Sequence, residues 1–511
     1  MTLKNFIRNY WILLFLVAVK LILQFVYVNP VYELHRDEFL HLDQAFHPAA
    51  GYISVPPFTS WIACLIHLLG GGLFWIRFFP AFFGALTIVF AWLIVEEAGG
   101  SLYARILTSV LLTFSVLVRI NLLFQPNSFE IAFWTIIFYL LIKYLHTQQA
   151  RWLFLCALFT VLAFYTKYNI LFLLAGLFAG LMMTERRDLF TKKIFYLALG
   201  CSLILLLPNI IWQIRNSFPV FRHMAALKET QLVNVGRARF ILDQFKYGML
   251  GLVTISALWA FMFYKPFRQY RFIGWTYIIA ILCYVVLKGK SYYPLGLYPV
   301  LFALGSVFLE VVFKKWKVIG ISLISVLRVI VFFFMAKYLM PYRSPSDIAA
   351  NGYIYEKSGM LRWEDGRNHT LPQDFADMIG WREMADKALA GYKMIPEEEK
   401  KNTLVFCDNY GETGALNYYN HGKMPEAYSF NTDYIYWLPE VTDIKNIVLV
   451  GDEPDGHFSN MLSEIITVGE VTNEYAREKG IRIFILKVGD PGFTKAFYKR
   501  AEERKKGFDI F

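Results

Sequence analysis

The chain is a succession of long apolar runs parted by short polar interruptions. A bilayer-spanning helix needs about 20 apolar residues. Runs near that length lie at 10–28, 75–95, 104–120, 129–146, 152–167, 169–184, 194–213, 245–263, 272–288, 296–313 and 318–339. The pattern predicts a polytopic α-helical membrane protein with about eleven transmembrane helices. Beyond residue 339 the period changes. Apolar stretches at 403–407, 446–450 and 482–486 alternate with helical patterns such as 375–389 and 494–506, which reads as a small α/β domain. Two domains follow: 1–339 in the membrane and 340–511 outside it.

Composition agrees. The chain is 57% hydrophobic and 18% aromatic, with a mean hydropathy of +0.42, which is unlike a soluble enzyme. Charge adds topology. Residues 1–339 carry a net +18 and residues 340–511 a net −7. Membrane orientation accounts for this split, so the basic balance does not argue for nucleic acid. Lys4 and Arg8 precede an apolar run of span length that lacks a small-residue cleavage site, so the first helix is expected to stay attached, with a cytoplasmic N-terminus. An odd number of spans then places the acidic C-terminal domain on the outer side. Five cysteines show neither a disulfide framework nor metal spacing.

Candidate chemistry gathers in the first outer loop, 29–61. Glu33, Asp37, Glu38 and Asp43 fall within eleven residues, with His35, His41 and His47 among them. An ionisable cluster beside a span is costly unless it stays wet or is used. An active-site loop and a plain polar connector both fit the composition. Its tail, 58–69, is amphipathic and suited to the membrane surface. Several cations sit at outer ends of spans, where orientation rules disfavour them: Arg36, Arg77, Arg119, Lys167, Arg215, Arg222, Lys288 and Lys290. Such a ring suits an anionic ligand such as phosphate, although any single member could snorkel to lipid headgroups. Lys288 and Lys290 open KGKSYYPLGLYP, whose Tyr292 and Tyr293 make the mouth aromatic. Glu130 is the only acid between Glu97 and Glu185 and is either a second acid or a helix-start residue. Asp37 and His41, four apart, share a helical face that could hold a divalent ion. In the soluble part, DNYGETGALNYY at 408–419 follows a strand and opens a helix, with glycine spacing unlike a dinucleotide fingerprint.

Several segments, taken in order, resemble the glycosyltransferase family 39 branch of the C-type superfamily. They are RDEF at 36–39, GYISVPPFTSW at 51–61, RFFPAFFGAL at 77–86, FQPNSFEIAFW at 124–134, TKYNILFLL at 166–174, PNIIWQIRNSFPVFRH at 208–223 and KGKSYYPLGLYP at 288–299. The exported DNYGETGALNYY resembles the tail domain of a bacterial subgroup of that family. Its members use lipid-linked sugars and are related to protein O-mannosyltransferases and to the aminoarabinose transferase of lipid A. The resemblance implies an outer-face active site and a polyprenyl-phosphate monosaccharide donor. The first-loop acid pair maps onto Asp37 and Glu38.

Transfer from such a donor needs a base for the acceptor hydroxyl and positive charge for the leaving phosphate. Asp37 is the candidate base, with Glu38 beside it either as support or as a structural residue. Arg77, Lys167, Lys288 and Lys290, with Tyr292 and Tyr293, are the candidate phosphate set. The expected function is an inverting glycosyltransferase of a bacterial inner membrane. It would act on a lipid, glycan or protein acceptor, with a divalent metal left open and no other cofactor called for. The alternatives are a transporter or flippase of lipid-linked sugars without covalent chemistry, and an oligosaccharide polymerase or ligase.

Overall fold

The computed structural model describes residues 3–246, 251–454 and 456–506. The predicted apolar runs fall on helices, with polar and amphipathic helices between them. In chain order these are α1 (Leu3–Val26), α2 (Arg36–Asp43), α3 (Phe58–Leu68), α4 (Leu73–Glu97), α5 (Leu102–Thr113), α6 (Pro126–Thr147), α7 (Ala150–Thr166), α8 (Ile170–Met182), α9 (Lys193–Arg215), α10 (Pro219–Thr230), α11 (Arg237–Lys246), α12 (Leu252–Phe263), α13 (Arg271–Val286), α14 (Tyr298–Phe313) and α15 (Lys317–Leu339). Of the run expected at 245–263, residues 245–246 end α11, residues 247–250 lie outside the described set, and α12 begins at Leu252.

Five helical stretches among the described residues are long and apolar enough to cross a membrane, the last spanning Tyr293–Leu339 through both α14 and α15. The other apolar helices are shorter. The run at 104–120 stops at Thr113, where the Ser115 hydroxyl bonds back to the Leu112 carbonyl, so it is not one continuous helix. The amphipathic stretch after the first loop is α3. It buries Phe58, Ala63 and Ile66 and exposes Trp61, Leu65 and Leu68. Phe58 meets Phe83, Phe129 and Phe133 at ring distances of 5.0–6.0 Å, fixing the loop's end against α4 and α6.

After α15 the chain folds as a five-stranded sheet: β1 (Thr403–Cys407), β2 (Ala427–Ser429), β3 (Asn446–Gly451), β4 (Leu462–Glu470) and β5 (Arg482–Val488), in the order β2-β1-β3-β5-β4. β1 runs parallel to β2 and β3, while β5 is antiparallel to β3 and β4. β3 is buried throughout, as a strand covered on both faces must be. α16 (Trp381–Met394), α17 (Tyr410–Asn420) and α18 (Phe493–Lys506) flank the sheet. The helical pattern at 375–389 is broken at Gly380, whose φ of +91° suits glycine alone.

The sheet and its helices do not hang free. α17 lies directly on α2, and a Cβ at Gly414 would stand 2.7 Å from the Cβ of Phe39. Phe39 is itself enclosed by Trp381, Tyr418 and Tyr419. The backbone N–H groups of Glu33 and Arg36 donate to the carbonyls of Met378 and Asp377. The first loop is therefore held between the helical bundle and the C-terminal sheet.

Candidate active site

The loop folds into α2 because its own residues cap it. The His35 ring accepts from the Asp37 N–H, and the Glu38 carboxylate accepts from the His35 N–H at 2.7 Å, a reciprocal capping box. Glu38 is fully buried. Its carboxylate also pairs with Arg77 and accepts the Phe124 N–H at 2.6 Å, while Arg77 donates to the Leu122 carbonyl. Glu38 and Arg77 thus bind α2, α4 and the turn before α6 into one unit. These contacts bear on two candidates, Glu38, for which a structural role was open from the sequence, and Arg77. Glu38 has its oxygens committed to the scaffold and does not stand with Asp37 as a reacting pair. Arg77 gives its charge to Glu38 rather than to the phosphate set, because burial makes the nearest carboxylate its obligatory partner.

Asp37 is placed differently. Its side chain is 37% exposed. Oδ1 accepts the Tyr410 hydroxyl at 2.7 Å and Oδ2 accepts the Gln125 amide at 3.1 Å. Burial resists its ionisation, but His35, Arg36 and the Tyr410 hydroxyl outweigh that and hold the carboxyl down to about 2. Asp37 is therefore a carboxylate throughout the physiological range.

From Asp37 a polar chain leads across the mouth of the bundle. Gln125 Oε1 accepts from Asn127 at 3.2 Å, and Asn127 Oδ1 accepts from the Lys167 ammonium at 2.9 Å. Lys167 stands 3.9 Å from Glu130 and over the rings of Tyr293 and Tyr292, at 4.5 and 5.2 Å. Asn169 donates to Glu130 at 2.7 Å and to the Tyr293 carbonyl at 3.1 Å. The turn carrying both tyrosines can lie on α6 because Gly296 faces the Trp134 ring, where a Cβ would meet it at 2.6 Å.

Lys290 reaches the same region from the other side. It is ion-paired with Glu364 at 2.5 Å. Burial works against its charge, but Glu364, Tyr293 and Asp37 raise its pKa overall. Lys288 does not join. Its backbone has φ +55°, and its ammonium donates to the Val233 carbonyl at 3.4 Å, apart from the contacts that link the other candidates. The candidate metal pair fares no better as a cage. His41 is buried with Nδ1 beside Gln44, and among the described residues no group of three or more His, Cys, Asp or Glu is placed to share an ion.

Asp37, Lys167, Glu130, Tyr292, Tyr293 and Lys290 thus share one polar region. Sequence reasoning missed Gln125, Asn127 and Asn169, the amides that link them, and Tyr410. All four lie in segments already notable as motifs: FQPNSFEIAFW, TKYNILFLL and DNYGETGALNYY. Tyr410 is placed by a second capping box, in which Asn409 accepts from Gly411 and Glu412 while Glu412 accepts from Asn409.

Residues 54–212 match the family described as dolichyl-phosphate-mannose-protein mannosyltransferase. Over that stretch the chain is related to these mannosyltransferases. The match takes in Lys167, Glu130 and the linking amides, while Asp37, Lys290 and Tyr410 lie outside it. The fold is that of ArnT from Cupriavidus metallidurans. Its structure bound to undecaprenyl phosphate is 15% identical, with a TM-score of 0.60 over 94% of this chain and 98% of that chain. Its apo state gives a TM-score of 0.58 at the same identity and coverage. No curated protein matches the chain in sequence. The family match over 54–212 and the shared fold agree with the resemblance read from the motifs.

Proposed function

We propose that the chain is an inverting glycosyltransferase that moves a hexose or pentose from a polyprenyl-phosphate donor to a hydroxyl of a lipid, glycan or protein. The observation that carries this is the polar chain from the Asp37 carboxylate to the Lys167 ammonium through Gln125 and Asn127. It links a carboxylate that can accept a proton to an ammonium that can meet a phosphate. In the reaction the acceptor oxygen attacks the anomeric carbon, and the bond from that carbon to the phosphate oxygen breaks. The electron pair leaves on the phosphate, where Lys167 and Lys290 meet the growing charge with Tyr292 and Tyr293 alongside. The hydroxyl proton passes to Asp37. A weak base suffices there, since the hydroxyl becomes acidic as its oxygen bonds to carbon. Glu130, with Oε1 held by Asn169, is the candidate second acid and keeps Lys167 oriented.

The family match and the ArnT fold, seen with undecaprenyl phosphate in that protein, support a lipid-phosphate donor. The charge pattern supports about eleven spans in a bacterial inner membrane, with a cytoplasmic N-terminus, the site on the outer face and a separate extracytoplasmic domain over 340–511.

The test is release of polyprenyl phosphate from radiolabelled polyprenyl-phosphate sugars, supplied with a membrane lipid and glycan extract. Asp37→Asn is expected to lower turnover by about 10²–10⁴-fold with donor binding retained. Equal turnover in both proteins removes Asp37 from the mechanism. Binding in both without turnover, together with flipping of the donor in vesicles, replaces the transferase by a transporter.

A further inference from the structure

Where the C-terminal end of α2 meets the segment joining α17 to β2, there is a cleft of about 110 Å³ that the proposed chemistry does not use. Asp43, Phe46, His47, Asn420, His421 and Glu426 line it. Asp43 takes its two hydrogen bonds, from Asn417 at 2.8 Å and Tyr434 at 2.7 Å, both on Oδ2. That leaves Oδ1 for another partner. Asn420 is 1% exposed. Its Nδ2 donates to the Ala385 carbonyl at 2.8 Å, but its Oδ1 is buried without a hydrogen-bond partner. A buried acceptor left unmade is costly and calls for an explanation. Glu426 accepts the Tyr428 hydroxyl on Oε2, which also stands 3.7 Å from His47 Nε2, and Oε1 is left open.

The walls are aromatic. Phe46 stacks on His421 at 5.4 Å, and His47 stacks on Trp437 at 4.2 Å. Spare acceptors beside ring faces suit a small ligand rich in O–H or N–H donors with an apolar face of its own, which describes a pyranose. A metal ion does not fit, because among the described residues no metal-ligating group of three or more gathers here or elsewhere. Asp43 lies six residues along α2 from Asp37, about 9 Å at 1.5 Å per residue.

We infer that this cleft is a saccharide subsite that holds a neutral or amino sugar of the acceptor while Asp37 serves the reacting hydroxyl. Its place in transfer rests on the function proposed above, whereas its capacity to bind sugar does not. The experiment titrates glucose and glucosamine separately into the full chain in detergent, read by saturation-transfer NMR and tryptophan fluorescence. Saturable binding of at least one sugar is expected in wild type. The double variant Glu426→Gln, His421→Ala changes two exposed side chains and is checked for an unchanged melting temperature. It is expected to bind at least tenfold more weakly. Tighter binding of glucosamine would assign the carboxylates to an ammonium, and equal binding would assign them to hydroxyls. The inference is overturned if neither sugar saturates the wild type, or if the double variant binds as well as it does. Sugar binding without any release of polyprenyl phosphate by the wild type would sink the transferase reading and leave the subsite standing.

Discussion

Asp37 and Glu38 are neighbours in sequence with opposite environments. One turns its carboxylate to the mouth of the bundle, and the other is sealed beneath it against Arg77. Their variants should fail in different ways. Glu38→Gln leaves a buried guanidinium without its charge partner, which typically costs about 3–5 kcal/mol. A clearly lowered melting temperature is therefore expected, and an unchanged melt with lost turnover would restore Glu38 to the chemistry. Tyr410→Phe tests the other carboxylate. The Tyr410 hydroxyl favours the ionised form, so its loss raises the Asp37 pKa. A hydrogen bond to a charged group contributes about 1.5–3 kcal/mol, which corresponds to about one to two pH units. The acid limb of the pH–rate profile should move up by that amount, and an unmoved limb would show that Asp37 does not set it.

At the scale of elements, the segment between α15 and α16 deserves a role of its own because it carries Glu364 to Lys290. The same segment is braced by the Trp363 ring on His369 at 3.7 Å and by the Asn234 amide on the Glu364 carbonyl at 2.8 Å. A carboxylate held on a lysine of the proposed phosphate set would compete with the phosphate. Glu364→Gln is expected to tighten binding of polyprenyl phosphate by about tenfold, or 1.4 kcal/mol, measured as the dissociation constant at fixed ionic strength. Unaltered affinity would take Lys290 out of the phosphate set. Helix positions were legible at this scale because a span must be continuously apolar. Strands β2 and β4 were not. β2 has three residues, and β4 is an edge strand whose pattern of partial exposure lacks a clean alternation.

At the scale of the molecule, the C-terminal sheet and the membrane bundle share the first loop, and the seam between them is acidic. Burial pushes the Asp43 carboxyl up to about 7, against hydrogen bonds from Asn417 and Tyr434, with Glu426 adding to the rise and His47 opposing it. Burial likewise pushes Asp433 up to about 6, against bonds from the Ile53 N–H and Gln44. Both groups hold protons more tightly folded than unfolded. Their contribution to stability is complete below the ordinary aspartate pKa and is lost as pH rises through about 6 to 7. Asp37 works in the opposite sense, but only below about pH 4. Amide exchange across 403–451 should therefore be slower at pH 5 than at pH 8 after correction for intrinsic rates. Asp43→Asn should flatten that difference, and a seam equally protected at both values would contradict the burial of these charges.

The sequence by itself determined the helical bundle, the change of character after residue 339 and the loop that bears the acids. Each is set by transfer free energy summed over many residues, which survives any local detail. It also pointed to Asp37, Lys167 and the paired tyrosines, because polar groups at span ends are conspicuous against an apolar background. Only the tertiary structure decided which carboxylate is ionised at the mouth and which is a buried brace. It likewise decided that Lys288 donates to the Val233 carbonyl while Lys290 pairs with Glu364, and that Tyr410 comes from more than 370 positions along the chain to meet Asp37. Those outcomes depend on single directed contacts between distant segments. A linear pattern of hydrophobic and polar residues does not encode the direction in which a side chain points.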